Sequence, residues 1–237
     1  MDIEKLQKLI NESDNIVFFG GAGVSTESGI KDFRGKNGLY TKNNSTYPPE
    51  YMLSNRCLIN EPELFFEYYK DNLNYSDIKP NVTHLYLKKL EDSGKLKMVV
   101  TQNIDGLHQK AGSKNVLEIH GNANRCFCMK CGKEYTGDII FKSPGVPKCE
   151  CGGTIRPDVV LYGEMLPESF LLAQRYIFQA DLLIVAGTSL TVEPAASLVR
   201  LFNGKHLVII NASKTPHDNL AELVINKPLG EVFGKLK

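Results

Sequence analysis

Residues 16–25 read IVFFGGAGVS, an apolar run that leads directly into a glycine-rich turn. Four consecutive apolar residues have the length of a buried strand, and the glycines suit a tight turn that opens onto a helix. In a parallel α/β sheet such a turn presents backbone N–H groups to an anionic ligand. The turn alone is weak evidence for a dinucleotide, because glycine also serves purely conformational needs. Thr26 moreover stands where the dehydrogenase fingerprint has its third glycine.

Helix and strand patterns alternate along most of the remaining chain. This alternation predicts an α/β fold in which a doubly wound, parallel, Rossmann-like sheet carries helices on both faces. The apolar periodicity places helices around residues 6–10 and at 61–73, 82–92, 168–179 and 194–202, and strands at 98–100, 116–119, 182–186 and 207–210.

Residues 122–156 interrupt this alternation, because they concentrate Cys, Gly, Lys and Pro and show little helical or strand periodicity. We interpret them as a small inserted module, with residues 1–121 and 157–237 forming the large Rossmann-like domain. The stretch after residue 32 is rich in Asn, Pro and Tyr, which predicts a long loop or a helical lid. Part of residues 36–80 is expected to pack near the module.

The module carries two pairs of cysteines with the spacing of a metal site. Cys128 and Cys131 form the first pair, Cys149 and Cys151 the second, and residues 132–148 lie between them. This spacing predicts a four-cysteine zinc ribbon, and four protein ligands leave no open position for water, so the zinc is expected to be structural. The alternatives are unligated buried cysteines, or competition for the metal from Cys126.

Composition excludes several other classes of protein. The 28 basic and 27 acidic residues give a net charge of +1, so no global field draws the chain to nucleic acid or to an anionic membrane. The N-terminal residues are acidic and amphipathic, unlike a secretory signal, and the apolar runs are shorter than a membrane span. We expect a cytoplasmic protein without membrane contact.

Polar residues gather where two predicted strands end. Residues 101–108 read TQNIDGLH, and Gln102, Asn103 and Asp105 can bond an amide or ribose hydroxyls at the carboxyl edge of the sheet. His120 ends the next strand, and an imidazole titrating near pH 6.5 suits a general base. The alternative is that residues 101–108 form an ordinary polar turn and that the histidine has a structural role only. We expect no catalytic role for the other four histidines, His84, His108, His206 and His217.

Taken in order, these stretches resemble the sirtuins, NAD-dependent protein lysine deacylases, of the short bacterial type. The resemblance rests on the glycine turn, GIKDFRG at 29–35, TQNIDGLH at 101–108, His120-Gly121, the four cysteines, VLYGE at 160–164 and GTSL at 187–190. It covers nearly the whole chain. It implies removal of acetyl groups from lysine, with release of nicotinamide and O-acetyl-ADP-ribose.

The resemblance also implies roles for individual residues. His120 would be the general base that activates a ribose hydroxyl, and one structural Zn²⁺ would bind the four cysteines. Val160, Gly163 and Glu164 would hold an acetylated protein or peptide as an added strand. The residues implied to contact NAD are Ala22, Gly23, Thr26, Phe33, Arg34, Gln102, Asn103, Ile104, Asp105, His120, Thr188, Ser189 and Asn211.

Three departures from the family pattern stand out: Gly20 replaces the usual Thr, Lys31 the usual Pro, and Tyr162 the usual Phe. Desuccinylating relatives pair a Tyr with an Arg three residues later in the lid helix. We align residues 69–72 with that pair, and Asn72 then lacks the charge, although Lys70 offers a less directional cation. We therefore predict deacetylation in preference to desuccinylation.

Three alternative functions are considered. ADP-ribosyl transfer to protein would use the same activated ribose carbon. A hydride-transferring dehydrogenase would need the full glycine fingerprint and an acid on a second strand. The third alternative is a protein without catalytic activity whose zinc ribbon and sheet only bind NAD or nucleic acid. Cations near the cysteines suggest nucleic acid, but acidic residues are interleaved with them, which makes nucleic acid an unfavoured partner.

Overall fold

The structure is a computed structural model that describes residues 2–32, 38 and 47–237. Its strands are β1 (Ile16–Gly20), β2 (Leu96–Thr101), β3 (Val116–Glu118), β4 (Gly121–Cys128), β5 (Glu134–Thr136), β6 (Ile155–Val159), β7 (Leu182–Ala186), β8 (His206–Ile210) and β9 (Leu223–Ile225). Its α-helices are α1 (Asp2–Glu12), α2 (Pro49–Met52), α3 (Asn55–Asn60), α4 (Pro62–Asn72), α5 (Val82–Asp92), α6 (Leu107–Lys110), α7 (Asp138–Lys142), α8 (Glu168–Gln179) and α9 (Leu229–Phe233). Short 3-10 helices occupy Ala22–Val24, Thr26–Ser28, Ala195–Leu201 and Asp218–Leu220.

The large sheet confirms the predicted fold class. Its strands follow the order β3-β2-β1-β7-β8-β9, and all neighbours are parallel. The chain leaves β1 first toward β2 and later returns to β7 on the other side. The carboxyl ends of β1 and β7 therefore form the switch point at which open α/β sheets bind ligands.

Alternating side chains of β1 supply both faces of this sheet. Phe18 packs in one buried core with Leu6 of α1, Leu87 of α5 and Phe233 of α9. Phe19 lies in the opposite core with Ile177 of α8. Burial of each such side chain contributes roughly 1.5–3 kcal/mol, which explains why β1 is apolar throughout instead of alternating with polar residues.

The inserted segment is more regular than its sequence indicates. Although residues 122–156 show little strand periodicity, β4, β5 and β6 form an antiparallel sheet in the order β5-β4-β6. A third core joins this sheet to the lid helices, with Phe65 and Tyr69 of α4 beside Ile140 of α7 and Ile155 of β6. The module sheet draws part of its burial from the lid, so its own strands need little apolar alternation.

Several other elements differ from the sequence prediction. Residues 194–202 give a 3-10 helix, Ala195–Leu201, and the glycine turn opens onto two short 3-10 helices. The strand β9 and the helices α6 and α9 were missed, because three to five residues are too few to show a period. Within the described ranges, no helix has both the length and the apolar character to cross a membrane.

Candidate active site and metal centre

A cavity of about 700 Å³ opens at the carboxyl edge of the large sheet, between the sheet and the module. Strands β1, β2, β7 and β8 all end at it. The structure brings together there Ala22, Gly23, Thr26, Gln102, Asn103, Ile104, Asp105, His120, Val160, Gly163, Glu164, Thr188, Ser189 and Asn211. The remaining predicted NAD contacts, Phe33 and Arg34, lie outside the described residues.

Two glycines let the loops after β1 and β7 touch. The Gly23 N–H donates to the Gly187 carbonyl at 2.7 Å, and a Cβ on Gly23 would stand 2.7 Å from the Gly187 Cα. Gly187 itself has a φ of +60°, which side chains disfavour. The Asn81 amide at the start of α5 braces the loop by donating to the Val24 carbonyl at 2.8 Å. The floor of the cavity is therefore backbone, as close approach of a diphosphate requires.

His120 is held in one tautomer by the backbone. Its Nδ1 lies 3.0 Å from the Gln102 carbonyl oxygen, which can only accept, so Nδ1 carries the hydrogen. The Nε2 lone pair is then free to take a proton. Burial lowers the pKa of His120 below its usual value, partly offset by the bond to Gln102. The imidazole is accordingly an unprotonated base at neutral pH.

A buried polar network sits beside His120. The Ser25 hydroxyl donates to Asp105 Oδ2 at 2.7 Å and accepts from Asn103 Nδ2 at 3.1 Å. The Leu107 N–H donates to Asp105 Oδ1 at 2.9 Å. All three polar side chains are buried, so their orientations are fixed before a ligand arrives. Such a group of amide and carboxylate side chains can recognise a carboxamide.

We expect Asp105→Asn to lower kcat/KM at least about tenfold while leaving the free energy of unfolding at pH 7 unchanged or raised by up to about 1 kcal/mol. Burial raises the pKa of Asp105 from 3.8, against the bonds from Leu107 and Ser25. A carboxyl with a raised folded pKa favours folding while protonated, so its contribution declines as pH rises above the unfolded pKa. Urea titrations at about pH 4 and about pH 7 would measure this. A variant destabilised by more than about 2 kcal/mol at pH 7 would contradict it.

The Glu164 carboxylate ties the rim of the cavity to the module and the lid. Arg156 donates to its two oxygens at 2.5 and 3.0 Å, Asn55 of α3 donates at 2.7 Å, and the Leu161 N–H at 2.9 Å. Burial opposes ionisation of Glu164, but these donors prevail and hold its pKa below the usual value. The side chain therefore positions residues 160–163, which follow β6 along the rim of the cavity.

Glu164→Gln is expected to lower the free energy of unfolding by about 2 kcal/mol at pH 7, because Arg156 is left with an incomplete partner. The pKa of Glu164 is lower in the folded protein than in the unfolded chain, where it is 4.5, so the ionised carboxylate stabilises the folded protein above pH 4.5. This stabilisation is lost as the pH falls through the folded pKa of Glu164. The difference between parent and variant should therefore shrink in acid. Urea unfolding from about pH 7 to about pH 3 measures it, with exposed Glu168→Gln as control, and a pH-independent difference would disprove the charge argument.

The four predicted zinc ligands come together in the module. The sulfurs of Cys128, Cys131, Cys149 and Cys151 all lie within 4.8 Å of one another, with Cys128–Cys151 at 3.5 Å and Cys131–Cys149 at 3.7 Å. A tetrahedron with Zn–S bonds of 2.3 Å has edges of about 3.8 Å, so this group fits one zinc ion. Cys126 is buried in β4 and does not belong to the group.

Neighbouring groups orient two of these sulfurs. The Tyr135 hydroxyl donates to Cys149 Sγ at 3.1 Å, and the Lys130 N–H donates to Cys128 Sγ at 3.4 Å. Gly153 leaves room for Cys128, because a Cβ there would stand 2.6 Å from the sulfur. Such donors stabilise thiolates, the form that binds zinc.

The chain matches one family model across most of the described site. Residues 21–194 match the model described as the Sir2 family. The chain belongs to the Sir2 family. A Clostridium acetobutylicum NAD-dependent protein deacetylase is 55% identical to this Sir2 protein over 235 residues, 98% of this chain and 96% of the relative. A Clostridium perfringens protein of the same name is 54% identical over 238 residues, 99% of this chain and 98% of the relative.

Solved Sir2 structures share the fold of this sirtuin. A Sir2 complex with a p53 peptide and NAD+ matches it with a TM-score of 0.87 and 40% identity, covering 99% of this chain and 97% of that one. A Sir2 variant with deacetylated p53 peptide and 3′-O-acetyl ADP ribose matches it with a TM-score of 0.91 and 40% identity, covering 99% of this chain and 96% of that one.

Several residues contribute to the site through contacts that leave no signal in the sequence. Ser25 belongs to the glycine turn, but its sequence context does not indicate that its hydroxyl links Asn103 and Asp105. His84 and His108 were set aside singly, yet their buried rings lie 4.8 Å apart beneath the loops of this sirtuin. Lys70 is the residue considered above as a less directional cation for an acyl carboxylate. Its ammonium donates to the Ser143 and Gly145 carbonyls at 2.7 Å each.

Proposed function

We propose that this sirtuin is an NAD-dependent protein lysine deacetylase. It removes acetyl groups from lysine side chains of proteins and releases nicotinamide and O-acetyl-ADP-ribose. Two supports are independent of each other: the cavity at the switch point of the sheet, and relatives named NAD-dependent protein deacetylase at 45–55% identity over the full chain.

The single observation that carries the proposal is the state of His120. Its Nδ1 is committed to the Gln102 carbonyl, and its Nε2 has no hydrogen-bond partner among the described residues, so a ring that lines the cavity can accept a proton there from a ribose hydroxyl. Gln102 in turn donates to the Thr188 hydroxyl at 3.0 Å, which joins the carboxyl ends of β2 and β7. A ribose lying between these strands would meet both side chains.

The other residues of the cavity would bind and orient NAD. The loop from Gly21 to Ser25 would hold the diphosphate on backbone N–H groups, while Asn103, Ile104 and Asp105 would enclose the nicotinamide. NAD supplies an electrophilic ribose carbon when nicotinamide departs. The buried walls around Asn103 and Asp105 exclude water, which favours attack by the acetyl oxygen of the substrate over hydrolysis.

The substrate is expected to bind as an extended strand along Val160 and Gly163. Gly163 has a φ of +89° and nothing within 4 Å of the Cβ it lacks, so its backbone is approachable from the cleft. Tyr162 is paired with the lid, since its N–H donates to the Leu53 carbonyl and its carbonyl accepts from Asn55. Backbone pairing of this kind selects extended peptides over particular side chains.

Two further assignments belong to this proposal. Residues 122–156 are the zinc-binding module, and residues 1–121 and 157–237 the NAD-binding domain, with the lid packed against the module. Support comes from the separate three-stranded sheet, whose paired strands run from Gly121 to Val159. The protein acts in the cytoplasm, where reduced thiols remain available to zinc.

The test is mass spectrometry of an acetyl-lysine peptide incubated with the protein, with and without NAD. Loss of acetyl only with NAD, together with equimolar nicotinamide and O-acetyl-ADP-ribose, is the expected result. ADP-ribose attached to protein while acetyl stays on the peptide would replace the proposal by protein ADP-ribosyl transfer. Reduction of NAD, followed by absorbance at about 340 nm, would replace it by a dehydrogenase.

Desuccinylation is expected to be at least about 10²-fold slower than deacetylation of the same peptide. Lys70 is held by two backbone carbonyls, and the Asn72 side chain donates to the Tyr68 carbonyl of its own helix. Neither is free to pair with a succinyl carboxylate. Competing acetyl and succinyl peptides of one sequence measure the ratio, and equal rates would refute the prediction.

A further inference from the structure

A second cavity, of about 540 Å³, lies outside the active site at the end of the 3-10 helix Ala195–Leu201. Its walls come from that helix, from the start of β8 and from the loop that holds the 3-10 helix Asp218–Leu220. Arg200, Phe202, Lys205, His217, Leu220 and Glu222 are among the lining residues. None of the residues assigned above to NAD, zinc or peptide takes part.

The charge of this second cavity is positive. Among the described residues, Lys205 has no ion pair, and Arg200 has one hydrogen bond, from its Nε to His217. Glu222 is already engaged, because Lys5 lies 3.0 Å and His206 2.6 Å from its oxygens. Hydrogen bonds from His206 and then Lys5 lower the pKa of Glu222. Two cations therefore face the cavity without a counter-charge of their own.

His217 is a buried ring that holds Arg200 in place. Its Nε2 accepts from Arg200 Nε at 3.3 Å, so the hydrogen of the neutral ring is on Nδ1. That Nδ1 is buried without a hydrogen-bond partner among the described residues, and the side chain is only 5% exposed. The ring therefore orients the Arg200 guanidinium at the edge of the cavity.

We propose that this second cavity binds a small phosphorylated metabolite, a phosphomonoester with an apolar part. The phosphate takes Arg200 and Lys205 as cations, since phosphate accepts from several charged donors at once. Phe202 and Leu220 offer apolar surface to the carbon skeleton. The volume exceeds what an inorganic anion needs and lies in the range of small-molecule sites.

Two segments connect this second cavity to the active site. Residues 192–194 line the active-site cavity and lead into the 3-10 helix Ala195–Leu201, which carries Arg200. Residues 211–214 also line the active-site cavity and lead into the loop with His217. A ligand that orders both segments in the second cavity is expected to change the affinity for NAD. This coupling rests on the proposed function, whereas the binding site itself does not.

The test uses phenyl phosphate as the probe, at constant ionic strength, with ADP-ribose saturating the active site. Two-dimensional NMR of the ¹⁵N-labelled His217 ring reports binding at this place alone. Lys205→Gln removes one exposed cation without breaking a described contact, and Arg200→Gln/Lys205→Gln removes both. The matched control is Lys89→Gln/Arg175→Gln, which removes two exposed cations on α5 and α8.

Phenyl phosphate is expected to shift the His217 signals in the parent and the control. Affinity should fall severalfold in Lys205→Gln and at least about tenfold in the double variant. The proposed site would be disproved if the His217 signals do not shift at millimolar phenyl phosphate, or if the parent and all variants bind phenyl phosphate with equal affinity. For the coupling, the probe should change KM for NAD in the parent and not in the double variant. Binding with an unchanged KM would overturn the coupling, and absence of deacetylation would leave the NMR result standing.

Discussion

Replacing His120 by alanine is expected to reduce kcat/KM for deacetylation about 10²–10⁴-fold, the usual range for loss of a general base. The free energy of unfolding should change by no more than about 1 kcal/mol, since one bond, from Nδ1 to the Gln102 carbonyl, is lost. His120→Asn can restore a donor to that carbonyl without restoring a base. It should therefore recover stability and remain inactive.

His206→Ala is the matched control for His120, because this histidine lies at the amino end of β8 and pairs with Glu222. It should keep full activity. The pH profile gives a second check: burial lowers the pKa of His120, so kcat/KM should be level around neutrality and fall only below pH 6.5. Activity retained in His120→Asn would show that another group takes the proton.

Cys128→Ser is expected to abolish stoichiometric zinc binding and to unfold the module. Structural zinc contributes roughly 10–16 kcal/mol of apparent binding free energy, more than a sheet with so small a core can replace. Because β6 leads directly into residues 160–163 at the rim of the active-site cavity, activity should be lost with the module. Metal analysis, near-ultraviolet circular dichroism and peptide turnover measure the three effects.

Cys126→Ala is the control for the metal centre. Cys126 lies in β4, two residues before Cys128, but outside the group of four sulfurs. The variant should keep one zinc per chain and lose about 1 kcal/mol of stability, since only a thiol is removed. Loss of zinc in Cys126→Ala, or full activity of the folded protein after verified removal of the metal, would contradict this account.

Local pattern made much of this protein predictable. The strand β1 could be predicted because a strand covered on both faces must be apolar throughout, and the turn after it because close backbone approach needs glycine. The zinc group was predictable because each pair of cysteines is brought together by a short turn. His120 was predictable because residues that follow parallel strands share one edge of the sheet.

The tertiary structure decided which of these residues touch. Ser25 and Asp105 are 80 residues apart, and their hydrogen bond exists because β1 and β2 are neighbours. Arg200 meets His217 for the same kind of reason, across a loop and a strand. Apolar periodicity specifies which face of an element is buried, whereas side-chain partners, tautomers and pKa shifts depend on the packing of elements distant in sequence. The sequence by itself therefore determined the sheet, the group of four cysteines and the place of His120 at the sheet edge, and only the folded chain decided the partners of Glu164 and Lys70 and the position of the second cavity.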